Sequence, residues 1–153
     1  MKKELGIISL IILVDQIVKI YIYNTMELGE SIIVINNFFN ITFHLNNGAA
    51  WGIFAGNQVF LVVITILVVC AIIYYLTKNP KLDLFTKLGL TLYLAGAIGN
   101  LIDRIRLGAV IDFFDVIVPI IKYDFPIFNI ADMSLVFGFV FILISLIKDK
   151  KYE

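Results

Sequence analysis

Apolar residues dominate four stretches of the chain: Leu5 to about Tyr23, Val59 to Leu76, Lys87 to Asp103, and Asp132 to Lys148. The first is interrupted by Asp15, Gln16 and Lys19, and the second carries no charge. The third and fourth each hold 15 uncharged residues between their bounding charges, about 22 Å of helix. A bilayer core of about 30 Å needs about 20 helical residues, so both must borrow from their flanks. Leu82, Leu84 and Phe85 extend the third, and Asp103 and Asp132 are drawn to the hydrocarbon edge. The pattern predicts spans at about 5–23, 57–77, 84–103 and 131–148 within a single integral membrane domain, 1–153. Met1-Lys-Lys ahead of an apolar run resembles a signal peptide, but no small-x-small cleavage site follows. A retained helix is expected.

Between the spans the period changes. Ser31 to Ile35 is a β-branched run, and Asn36-Asn37 offers a turn. Phe39, Ile41, Phe43 and Leu45 then alternate with Asn40, Thr42 and His44, the period of a half-buried strand. Ala109 to Val118 is a second strand candidate. The predicted fold is an α-helical membrane protein with four transmembrane helices and a small extracytoplasmic β-sheet against the membrane surface.

Composition agrees. The chain has 153 residues, 61% hydrophobic and 16% charged, with a mean hydropathy of +0.98. A soluble domain is nearer 45–50% apolar and about 25% charged. Twelve basic residues balance twelve acidic ones, so no basic face recommends nucleic acid as a partner. One cysteine, Cys70, excludes an intrachain disulfide and a multi-cysteine metal site.

Basic residues predict the orientation. Lys2 and Lys3 precede the first span, Lys78, Lys81 and Lys87 lie between the second and third, and Lys148, Lys150 and Lys151 follow the fourth. Residues 24–57 contain no Lys or Arg. Both termini are expected in the cytoplasm and the two longer loops outside.

Charge in or beside a span marks a functional hypothesis. The acids in question are Asp15, Asp103, Asp112, Asp115, Asp124 and Asp132. Asp15 and Lys19 are spaced i, i+4, which suits a local ion pair or the holding of a partner helix. Asp103 is expected to be structural, one turn from Arg106. Arg104 suits either snorkelling to headgroups or holding a substrate carbonyl. Asp112 sits in an apolar strand, where a solvated carboxylate fits poorly, whereas Asp115 falls on the opposite face. Asp132 suits helix capping with Asn129, or catalysis. Asp103, Asp112 and Asp132 all belong to the outer end of one helix pair. Two carboxylates brought together there share one proton and supply an acid and a base. His44, the single histidine, lies in a strand pattern, and Cys70 is mid-span. Neither suggests a nucleophile–histidine site. The rival class is a small proton-coupled carrier, which would place its acids near the midplane and often show internal repeats; no repeat is visible here.

Asp15-Gln-x-x-Lys19, Asn47-Gly-Ala-Ala, Gly99-Asn-x-x-Asp-Arg104 with Val-Ile-Asp-Phe113, and Phe128-Asn-x-Ala-Asp132 resemble, in order, the motifs of the bacterial lipoprotein signal peptidases, or signal peptidase II. The resemblance covers nearly the whole chain. It implies an aspartic peptidase of the bacterial cytoplasmic membrane that cleaves prolipoproteins just before a diacylglyceryl-cysteine, with its site at the outer face. By motif position the catalytic pair falls on Asp112 and Asp132. Asn47, Asn100, Arg104 and Asn129 take substrate-binding or supporting positions, and Asp15, Lys19 and Asp103 structural polar ones. Trp51 stands where Phe is more usual. The resemblance also implies partners: membrane lipid, lipidated precursors, and cyclic lipopeptide inhibitors. It implies no metal and no cofactor.

Overall fold

The structure is a computed structural model that describes residues 2–48, 53–118 and 123–149. Ala49 to Gly52, Pro119 to Lys122 and the last residues from Lys150 lie outside the described residues. The expectations for Ala49, Ala50 and Trp51 therefore fall there as well.

Four helices follow the four apolar stretches: α1 (Lys2–Thr25), α2 (Gln58–Lys78), α3 (Leu84–Leu107) and α4 (Ile130–Asp149). Each is long and apolar enough to cross a bilayer. Their outward residues are large and apolar, among them Leu10, Val59, Leu67 and Ile147. α3 starts at Asp83, whose Oδ1 accepts from the backbone N–H groups of Phe85 and Thr86 at 2.9 and 3.1 Å, satisfying orphan donors of the first turn. It continues a turn beyond Asp103 and stops at Gly108, whose φ of 69° is open to glycine without strain.

α3 and α4 touch backbone to backbone. A Cβ on Gly138 would lie 2.7 Å from the Gly89 carbonyl oxygen, and one on Gly96 would overlap that of Ala131. Small residues permit this approach where lipid offers no hydrophobic drive between helices.

The intervening segments form an antiparallel sheet in the order β1 (Ser31–Ile35), β2 (Phe39–Asn46), β3 (Val110–Val118) and β4 (Tyr123–Asp124). The β1–β2 turn places Asn37 at a φ of 56°, a conformation asparagine tolerates better than most residues. β2 pairs with β3, so His44 lies opposite Asp112 and Asn46 opposite Val110. Ile22 of α1, Met26 just after it, Phe43 of β2, and Ile111 and Phe113 of β3 form the buried cluster that fixes this sheet to one end of the helices. Ile8, Leu76, Leu94 and Ala95 form a second cluster among the helices.

Candidate active site

Asp15, Lys19, Asn100, Asp103, Asp112, Asn129 and Asp132 converge where β3 meets the C-terminal halves of α1 and α3 and the start of α4. Deepest is an ion cluster. Lys19 is fully buried, and its Nζ lies 2.9 Å from Asp15 Oδ2 and 2.8 Å from Asp103 Oδ2. The expected Asp15–Lys19 pair is present, and both of the uses considered for it apply. Asp15 Oδ1 also accepts from the backbone N–H of Ala131 at 2.9 Å, so α1 holds the first turn of α4. Asp103 turns away from Arg106, contrary to expectation. It takes Lys19, accepts from Ile111 N at 3.2 Å, and accepts from Gln16 Nε2 at 3.1 Å. Arg106 reaches Gln16 Oε1 instead, at 3.4 Å. A fully buried carboxylate gains more from a buried ammonium than from an exposed guanidinium one turn away.

A layer of amides joins this cluster to Asp112 and Asp132. Asn100 Oδ1 accepts from Lys19 Nζ at 3.0 Å, and Asn100 Nδ2 donates to Asp132 Oδ1 at 2.7 Å. Asn129 and Asp132 form a reciprocal cap on α4. Asp132 N donates to Asn129 Oδ1 at 2.8 Å, and Asn129 N donates to Asp132 Oδ2 at 3.1 Å. Asn129 Nδ2 lies 2.6 Å from Asp112 Oδ1. Capping and proximity to the second carboxylate coexist in one residue pair.

Asp112 is buried on β3. Its other oxygen accepts from Asn46 Nδ2 at 3.1 Å. Burial, followed by the charge of Asp132, pushes its carboxyl up to about 7, against the opposing pull of the Asn46 and Asn129 donors. Asp115, on the other face of β3, accepts from Thr42 Oγ1 at 2.7 Å and Asn40 Nδ2 at 3.3 Å. Asp124 lies in β4, and its side chain is outside the described residues.

Asp112 and Asp132 line one cavity of about 660 Å³ between α2, α3, α4 and Phe125–Phe128. Its walls are mostly apolar, with Leu61, Ile64, Val68 and Val136 among them. Arg104 also lines it, donating from Nη2 to the Gly48 carbonyl at 3.0 Å. Asn47 is exposed, and its carbonyl accepts from Gly56 N at 3.1 Å. Besides Asn129, the asparagine that touches Asp112 is Asn46, the neighbour of Asn47; the sequence pattern assigned Asn46 no role. Its signal was strand alternation: two residues beyond His44, which pairs with Asp112, it lies on the same face of the sheet as Asp112. Gln16, quoted in the motif but given no role, also enters the ion cluster. His44 is exposed. Cys70 is exposed on α2 and does not line the cavity.

A helical membrane protein with paired carboxylates at one end of its bundle is the class that fold and site define. The family described as Signal peptidase (SPase) II matches residues 7–148. The lipoprotein signal peptidases of Staphylococcus aureus strains JH9 and Newman are 48% identical over 139 residues, 91% of this chain and 84% of theirs. A bacterial membrane enzyme solved by the in meso method at 2.3 Å superposes with a TM-score of 0.93 at 43% identity, covering 100% of this chain and 92% of that one. A second, at 1.9 Å, gives a TM-score of 0.86 at 45% identity, covering 97% and 95%. The chain belongs to the signal peptidase II family. It is a multi-pass membrane peptidase, and the carrier reading has no support.

Proposed function

We propose that the protein removes the signal peptide from prolipoproteins by an aspartic mechanism, cleaving on the N-terminal side of a diacylglyceryl-cysteine. The observation that carries this reading is the placement of Asp112 and Asp132 on one cavity, bridged by Asn129. The pair holds one proton. Asp132 lies in the first turn of α4, where the helix N-terminus favours its charged form, and Asp112 on β3 has no such neighbour. Asp112 is buried and raised, which favours the neutral form.

Asp132 takes a proton from a water whose oxygen attacks the scissile carbonyl, while Asp112 donates its proton to the carbonyl oxygen. The gem-diol then collapses. Its C–N bond breaks, the cysteine nitrogen takes a proton from Asp132, and one hydroxyl proton returns to Asp112. The carboxylates end as they began, and water has been added across the peptide bond. Asn100 and Asn129 orient the carboxylates, Arg104 and Asn47 hold substrate backbone, and Asp15, Lys19 and Asp103 keep the helices in register. Both termini lie in the cytoplasm and the site lies at the outer face of the cytoplasmic membrane, as the distribution of lysine and arginine supports.

The test is cleavage of a lipidated precursor by Asp112→Asn and Asp132→Asn. Each is expected to remove nearly all activity while still accumulating in the membrane, and Asp115→Asn and Asp124→Asn are expected to be mild. Near-normal cleavage by either dyad variant would refute the mechanism.

A further inference from the structure

Lys19 is more than the counter-ion of Asp15 and Asp103. Its three ammonium protons have three acceptors: those two carboxylates and the side-chain oxygen of Asn100, at 3.0 Å. Neutralising the carboxylates does not require the third bond. The consequence of that bond can be followed through the amides.

Backbone N–H groups donate only. Asp132 N therefore fixes Asn129 with Oδ1 toward Asp132 and Nδ2 toward Asp112 and Asn100. Asn100 Oδ1 then faces two obligate donors, Asn129 Nδ2 at 3.1 Å and Lys19 Nζ. Its Nδ2 must point at Asp132 Oδ1. Asn46 is fixed the same way, because its Oδ1 accepts from Gly48 N at 2.9 Å. Each oxygen of Asp112 and Asp132 thus faces a fixed N–H donor, and the shared proton is confined to the remaining lone pairs.

We propose that Lys19 is a positioning residue for the reaction: by locking the Asn100 amide it holds a donor on Asp132 and keeps that carboxylate charged and in place. The proposal rests on the two-aspartate reading above. Without Lys19 only Asn129 Nδ2 opposes rotation of the Asn100 amide. A rotated Asn100 would present its oxygen to Asp132 and favour the protonated acid. Among the described residues, the charged groups around the pair are Asp15 and Lys19 from α1 and Asp103 and Arg104 from α3, and the exposed, titratable His44 of β2 lies across the sheet from Asp112. The α2 residues lining the cavity carry none.

Lys19→Met alone leaves two buried carboxylates without their counter-ion. Pairing it with Asp103→Asn keeps the charge of the cluster, since two acids and one base become one acid. The double variant is assayed with a lipidated precursor in detergent across pH, beside thermal unfolding. We expect kcat to fall roughly ten- to hundredfold, the scale of a misplaced catalytic group. KM should stay near the parent value, and the acid limb of the kcat profile should move to higher pH. An unchanged kcat and pH profile would overturn the proposal. A folded variant whose kcat falls without any movement of the acid limb would also overturn it. Should the double variant fail to fold, the parent enzyme carries the test. The side-chain ¹⁵N signals of Lys19 and Asn100 must move at the pH where cleavage titrates, and fixed signals would overturn the proposal. If Asp112→Asn and Asp132→Asn abolish cleavage while the double variant behaves as the parent, only the role of Lys19 falls. If those single variants retain cleavage, the reading beneath it falls.

Discussion

Asn129 donates from Nδ2 to Asp112 Oδ1 across 2.6 Å, joining the residue before α4 to the first residues of β3. The same side chain caps α4 through its oxygen, so one residue serves both the stability of a helix and the placement of an acid.

These two roles separate by substitution. Asn129→Ala removes the cap, at about 1 kcal/mol, and leaves buried acceptors unpaired, at about 1–3 kcal/mol. Asn129→Ser restores a capping oxygen but lacks the Nδ2 amide that reaches Asp112. We expect Ser to recover part of the thermal stability lost in Ala and none of the cleavage. Equal recovery of both would show that Asn129 acts only as a cap.

A second prediction concerns pH and stability. The Asp112 carboxyl rises from 3.8 to about 7 in the folded protein. An acid raised by folding stabilises fully below its unfolded value, and that contribution is lost as pH rises through the folded value. The unfolding midpoint in detergent should therefore fall between about pH 4 and 8, by the equivalent of up to a few kcal/mol. Asp112→Asn should flatten this slope and unfold at a higher temperature than the parent above pH 7. Parallel curves for the two proteins would contradict this. Asp83 has the opposite sign. Hydrogen bonds from Thr86 lead in lowering it to about 2, so its contribution is present above about pH 4 and lost only in strong acid.

The helix contacts give a third prediction. Gly96→Ala would press a methyl into the Ala131 carbonyl and bring it 2.8 Å from Leu135 Cγ. Overpacking typically costs about 1–3 kcal/mol, and here the neighbour is backbone. Gly6→Ala, with nothing within 4 Å, should instead gain about 0.5–1 kcal/mol of helix propensity. Thermal unfolding of the two purified variants compares them directly.

Hydropathy gave the four spans because lipid-facing residues must be apolar wherever they sit in sequence. The alternation from Phe39 to Leu45 gave β2 because one face of that strand packs on Ile22 and Phe113. Neither signal carries side-chain partners across long separations. Asp103 was assigned Arg106 because a helix turn is a local relation. Its true partner, Lys19, is 84 positions away and reaches it only when α1 packs on α3. Asn46 and Asn47 are equally polar in the sequence, and only the β2–β3 register separates them.

Topology supplies a fourth prediction. In a Cys70→Ser background, a cysteine at Glu30 should react with an impermeant thiol reagent in intact cells, and one at Lys81 should not. The reverse pattern would invert the orientation inferred from the basic residues.

The last prediction concerns substrate choice. The cavity beside Asp112 and Asp132 is walled mainly by apolar side chains of α2 and α4. A signal-peptide helix offers one anchor for a scissile bond at that depth. The diacylglyceryl group on the cysteine offers another, since each buried CH₂ contributes about 0.8 kcal/mol. On the proposed function, acyl chains lodged between the helices would fix the depth of the peptide bond that the cysteine nitrogen closes. The same occupancy keeps bulk water from the carboxylates and strengthens their electrostatic action. The enzyme should therefore cleave a diacylglyceryl-cysteine precursor far faster than the same peptide with a free cysteine. A cyclic lipopeptide placing a hydroxyl between the two aspartates should block both reactions. Enlarging the wall by Val68→Phe should slow the lipidated substrate more than the unlipidated one, because only the former needs the space. Equal rates for the two precursors in one detergent would refute this account of specificity and leave the carboxylate pair untouched.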